Sequence, residues 1–132
     1  MIGVDVETKN NVDFCDIALK IAQYLSDCKA TDVVLLDLKE EDIWTRFFIV
    51  ATVMSATHAT GLEKQLEEEI ERLNVLDFYN KRRANDGNDW KLVDLGEIAT
   101  IHLMSKISRN FYDLEHLHKN AKKIYDSSTG VI

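Results

Sequence analysis

The sequence predicts an α/β fold in which a mixed β-sheet is flanked by helices, and three observations predict it. Two apolar runs rich in branched residues, Val33-Val-Leu-Leu-Asp-Leu38 and Phe47-Phe-Ile-Val-Ala51, read as strands buried on both faces. That pattern belongs to parallel or mixed sheets. Two other segments carry apolar residues every three to four positions, the period of an amphipathic helix. A third apolar pair, Trp90–Leu95 and Ile98–Met104, meets at the tight Asp94-Leu-Gly-Glu97 turn and reads as a hairpin. The 132 residues are one domain's worth, 1–132, with a core over about 11–125 and a short flexible tail, 126–132.

In chain order, Asn11 and Asp13 can cap a first helix that presents Phe14, Ile17, Ile21 and Leu25 along one stripe. The first strand run follows it. The polar Lys39-Glu-Glu-Asp42 turn then leads to the second run. Ser55 or Thr57 can cap a second helix, with Leu62, Leu66, Ile70 and Leu73 inward and Glu63, Glu67, Glu68, Glu69 and Glu71 on a solvated face. Residues 77–89 read as a polar loop, with Asp86-Gly87-Asn88 as a turn. After the hairpin, a last helix is expected from about Ser108 to Tyr125, with Phe111, Leu114, Leu117, Ala121 and Ile124 inward. Ser127 to Gly130 reads as a frayed end.

Composition narrows the function classes. A net charge of −7 argues against nucleic acid as the main contact surface, because phosphate binding draws on Lys and Arg. Lys81-Arg82-Arg83 is the only basic triplet, and Lys119, Lys122 and Lys123 are dispersed along the end of the last expected helix, where cations complement the dipole. An acidic domain working near RNA is therefore expected to touch a basic protein. No apolar run reaches the ~18–20 residues of a membrane span, and the N-terminal residues have no apolar leader, which predicts a cytoplasmic protein.

Chemistry is poorly supplied. Cys15 and Cys28 fall on separate sides of one expected helix, so neither a disulfide nor a shared metal is natural. His116 and His118 point about 200° apart on a helix, and His58 and His102 are isolated, so no metal site is expected. Glycine-rich phosphate loops are absent. Ser55 and His58 read as a helix cap with a first-turn residue, not as a nucleophile with its base. Two-metal phosphoryl transfer needs converging carboxylates. Asp37 and Asp94 each stand alone on their strands, and Asp5-Val-Glu7 lies in a segment too polar for a core strand. No catalytic residue and no cofactor is expected.

The stretch Asn88-Asp-Trp-Lys-Leu-Val-Asp-Leu-Gly-Glu-Ile-Ala-Thr-Ile-His-Leu-Met104, followed by Arg109-Asn-Phe-Tyr-Asp-Leu-Glu-His-Leu117, resembles the C-terminal half of the ribosomal silencing factor family, the Iojap-like proteins. Asp32-Val-Val-Leu-Leu-Asp37 resembles that family's first strand, so the likeness spans roughly residues 11 to 122. The series Asp-Trp, Asp-x-Gly-Asp/Glu, His, Tyr-x-Leu-Glu-x-Leu is specific in its order and spacing. Three positions depart from the family pattern. Val53 and Thr57 stand where Gly and Arg are common, and His118 stands where a Trp commonly ends the helix motif.

The resemblance implies a nucleotidyltransferase-like fold without the enzyme's chemistry. It implies a translation inhibitor that binds the large ribosomal subunit through a basic ribosomal protein of the L-fourteen type. Bound there, it would block joining of the small subunit. The partner-binding patch carried over from it comprises Asp89, Trp90, Asp94, His102, Tyr112 and Glu115. Aromatic anchors dominate interface energetics and acids select a basic partner, which suits such a set. Structural roles compete for each: Trp90 in the hairpin core, His102 as a hydrogen-bonded sheet residue, Tyr112 and Glu115 as braces between helix and sheet. Two other functions stay open on sequence alone. One is a degenerate nucleotidyltransferase-like enzyme or nucleotide sensor; the other is a homodimeric scaffold built on an exposed sheet edge.

Overall fold

The computed structural model describes residues 12–41, 43–81 and 90–132. Its order is α1 (Phe14–Asp27), β1 (Thr31–Asp37), β2 (Phe47–Val53), α2 (Ala56–Arg72), β3 (Trp90–Asp94), β4 (Ala99–Ser105), α3 (Lys106–Tyr112), α4 (Leu114–Leu117), β5 (Lys122–Asp126) and β6 (Gly130–Val131). Short 3-10 turns occupy Lys39–Glu41 and Leu76–Phe78. The six strands form one mixed sheet in the order β3-β4-β2-β1-β5-β6. Among the described strands only the β2–β4 pair is parallel; the other neighbours are antiparallel.

Helix α1 forms where the stripe predicts it. The Asp13 carboxylate accepts from the Asp16 amide, satisfying one of the free donors at the helix start. The helix then buries Phe14, Ile17, Ala18, Ile21, Ala22 and Leu25. For α2 the cap is Ser55, which accepts from the His58 amide at 3.0 Å. The His58 ring adds a second cap, because its Nδ1 accepts from the Met54 amide at 3.1 Å. Both helices cover one face of the sheet and share a core with Val33, Leu35, Phe47, Ile49, Ala51, Ile101 and Leu103. Glu69 departs from the expected solvated face of α2: it is buried, and its carboxylate is forked by Arg72 at 3.0 and 2.6 Å.

Alternate residues of the same strands point to the other face. There Val34, Leu36, Phe48, Val50 and Met104 form a smaller core, capped by Trp90, Leu114 and Ala121. This double coverage explains why every residue of β2 is buried and why its sequence shows no alternation. The hairpin turns at Gly96, whose φ of +59° suits glycine. A Cβ there would stand 3.1 Å from the Phe78 carbonyl oxygen.

The long helix expected over 108–125 is not formed. α3 ends at Tyr112, where Asp113 adopts a left-handed conformation (φ +48°), and α4 lasts only from Leu114 to Leu117. Lys122–Asp126 is instead a strand antiparallel to β1. The edge of β1 left open by β2 carries unpaired backbone groups, and β5 satisfies them. Residues 126–132, expected to fray, fold back in a turn. Ser127 donates its amide to Val33 and accepts the Val33 amide on its hydroxyl, Asp126 accepts from the Ser128 amide and hydroxyl, and β6 pairs with β5. These hydrogen bonds, with help from Lys123, pull the Asp126 carboxyl down to about 2.

Candidate partner-binding face

The hairpin register sets the site. Trp90, Leu92 and Asp94 pair with Met104, His102 and Thr100, and all six lie on the face away from α1 and α2. Trp90 and His102 meet diagonally across the two strands. The indole Nε1–H donates to His102 Nδ1 at 3.0 Å, with the ring centres 5.7 Å apart. His102 packs in turn on Phe48, which also touches His118, at centroid distances of 4.9 and 5.0 Å. Because Nδ1 accepts, a neutral His102 carries its proton on Nε2. Burial, reinforced by His118, lowers its pKa to about 4, so the ring is neutral near pH 7.

Helix α3 brings Tyr112 onto the same cluster. Its ring lies 4.8 Å from Trp90, and Phe111 meets Tyr112 edge-on at 5.0 Å. Tyr112 is half exposed, Phe111 is 78% exposed and Ile107 is 79% exposed, with Leu117 of α4 at 70%. The expected inward stripe of the last helix thus fails at Phe111 and Leu117, which face solvent. The result is an aromatic and aliphatic surface beside a partly buried Trp–His hydrogen bond.

Arg109 holds this surface in place. Its guanidinium forks the Glu115 carboxylate at 2.9 and 3.0 Å across the Asp113 kink. It also donates to the Thr52 hydroxyl at 2.9 Å and to the Asp32 carbonyl. Bidentate charge-assisted bonds of this kind fix both distance and orientation. They tie α3 and α4 to β1 and β2.

The six residues carried over from the resemblance therefore divide. Trp90, His102 and Tyr112 form one contiguous cluster. Glu115 lies beside it with its carboxylate engaged by Arg109. Asp94 sits at the turn end of the hairpin, where its carboxylate accepts the Gly96 amide at 2.8 Å. Asp89 lies outside the described residues, as do Arg82 and Arg83. Sequence reasoning missed Ile107, Phe111 and Leu117 as exposed groups and Arg109 as the brace.

Among the described residues there is no group of three or more His, Cys, Asp or Glu side chains that could hold a metal ion, and Cys15 and Cys28 are free thiols. Asp37 is occupied by Arg46 at 3.0 Å. No described helix is long and apolar enough to cross a membrane.

A family profile described as "Ribosomal silencing factor during starvation" matches residues 12–131. The ribosomal silencing factor RsfS of Treponema pallidum is 34% identical over 100 residues, covering 76% of this chain and 87% of that protein. The chloroplast protein Iojap is 32% identical over 120 residues in Arabidopsis thaliana and 29% over 121 in Zea mays. This chain spans only about half of either plant protein, 48% and 50%. Crystal structures of proteins from Chromobacterium violaceum (TM-score 0.72, 24% identity, 80% of this chain and 86% of that one) and Bacillus halodurans (0.62, 23%, 81% and 94%) share the fold. With the family profile matched along nearly the whole described chain, the protein belongs to the ribosomal silencing factor family, whose relatives include the Iojap proteins.

Proposed function

We propose that the protein represses translation without catalysis, by docking on the large ribosomal subunit through a basic ribosomal protein of the L-fourteen type. So placed, it keeps the small subunit from joining by occupying the space. The observation that carries this reading is the exposed apolar and aromatic surface of α3 and α4, backed by the Trp90–His102 bond, on a chain of net charge −7. Such a surface supplies hot-spot aromatics, and the acidic chain favours a basic protein over phosphate. The Trp90–His102 bond and the packing of His102 on Phe48 hold the backing in place, which lowers the ordering cost of binding. Membership of a family named for ribosomal silencing supports the partner, and the L-fourteen-type contact follows from the resemblance in the hairpin and α3.

Co-sedimentation with isolated subunits tests the reading. Pelleting with the large subunit and not the small one, competed by purified L-fourteen-type protein, is the expected result. Failure to pellet with the large subunit would overturn it.

A further inference from the structure

The second tryptophan of the chain has no place in the cluster just described. Trp44 is 62% exposed, and Ile43 beside it is 45% exposed. Trp44 thus stands in solvent as part of an adjacent apolar pair. It is also firmly presented. The loop between β1 and β2 is closed by the Arg46 carbonyl accepting from Leu38, by Arg46 donating its amide to the Glu97 carbonyl, and by Thr45 donating to the Gly96 carbonyl at 3.0 Å. The Arg46 guanidinium is anchored on Asp37. Trp44 therefore projects from a pinned hairpin end, the preorganised geometry that favours an anchor.

Two observations argue for one kind of occupant. Charge is the first: residues 37–46 hold four acids (Asp37, Glu40, Glu41, Asp42) against two bases (Lys39, Arg46), and exposed Glu97 follows the adjoining turn. That balance suits a basic protein and repels phosphate. Continuity is the second. His118 Nδ1 lies 2.7 Å from a Glu41 oxygen, so exposed Leu117 and the Trp44 loop meet through that pair. The seven residues of β4 separate the α3 end of the sheet from the loop end by about 20 Å. An ordinary interface of about 800 Å² per partner is roughly 30 Å across. One partner can reach both ends.

We infer that Trp44 and Ile43 form a second anchor for the same basic ribosomal protein that the α3 face engages. This inference rests on the function proposed above, and one experiment separates the two. Binding of the wild-type protein, Trp44→Ala, Trp44→Phe and Tyr112→Ala to purified large subunits and to purified L-fourteen-type protein is measured, with circular dichroism as the folding control. Trp44→Ala should weaken both interactions tenfold or more with its spectrum unchanged, and Trp44→Phe should recover most of the loss. Wild-type affinity in Trp44→Ala, alongside weakened Tyr112→Ala, would overturn the second anchor and leave the function standing. Trp44-dependent binding to protein-free ribosomal RNA, with none to the ribosomal protein, would overturn the choice of occupant. No binding by the wild type would overturn both.

Discussion

Trp90 donates its indole N–H to Nδ1 of His102 at 3.0 Å, and this bond joins the exposed aromatic face to the second core of the sheet. Trp90 lies against Tyr112 on its outer side, and His102 lies against Phe48 on its inner side. The position of the exposed aromatic face is thus set from within the fold.

Removing the anchor should separate binding from folding. Trp90→Ala is expected to cost about 2 kcal/mol or more in affinity for large subunits while the chain still folds. Trp90→Phe keeps an aromatic ring but orphans the His102 acceptor, and should lower stability by about 1–2 kcal/mol. Calorimetric binding and urea unfolding of the two variants check this; unchanged affinity in folded Trp90→Ala would remove Trp90 from the face.

The low pKa of His102 has a stability consequence. Between about 4 and 6.5 the unfolded chain binds a proton there that the folded chain does not. Stability should therefore fall as pH drops through that window and level off below it, by roughly 3 kcal/mol at about 1.4 kcal/mol per pH unit. Carboxylates contribute to the same fall, so the comparison is with His102→Gln. Its stability curve should be flatter by that amount between pH 6.5 and 4.

Glu115 is expected to act through Arg109. Glu115→Ala leaves a guanidinium, 10% exposed, without its carboxylate, at an expected cost of about 3 kcal/mol in unfolding free energy. A Glu115→Ala variant of undiminished stability but weakened subunit binding would instead make this carboxylate a direct contact.

Phe111 should behave in the opposite way. At 78% exposure, Phe111→Ser is expected to change stability by no more than about 0.5 kcal/mol while reducing affinity for the large subunit several-fold. Thermal unfolding and co-sedimentation of one preparation decide it.

Gly96→Ala must place a Cβ at φ +59° and 3.1 Å from the Phe78 carbonyl. A loss of about 1–3 kcal/mol is expected, read from the urea midpoint.

The sequence made the first four elements legible because cap, period and run length agree there: Asp13 and Ser55 cap their helices, and the continuous Phe47–Ala51 run becomes a fully buried strand. The C-terminal part was less legible. Phe111, Leu114, Leu117, Ala121 and Ile124 keep a helical spacing, but no Gly or Pro announces the left-handed turn at Asp113. The competing force, an open edge on β1, lies far away in sequence. Within the candidate site, Trp90, His102 and Tyr112 could be picked out by resemblance. Arg109 could not, because its partners Thr52 and Asp32 lie 57 and 77 residues away.

The central claim, that the protein silences by occupying the joining face, is tested most directly by a subunit-joining assay. Isolated large and small subunits are mixed with increasing protein and resolved on a sucrose gradient. The account predicts that joined ribosomes decline in step with occupancy of the large subunit, and that Trp90→Ala shifts the curve to higher concentration. Undiminished joining at saturating occupancy would contradict it.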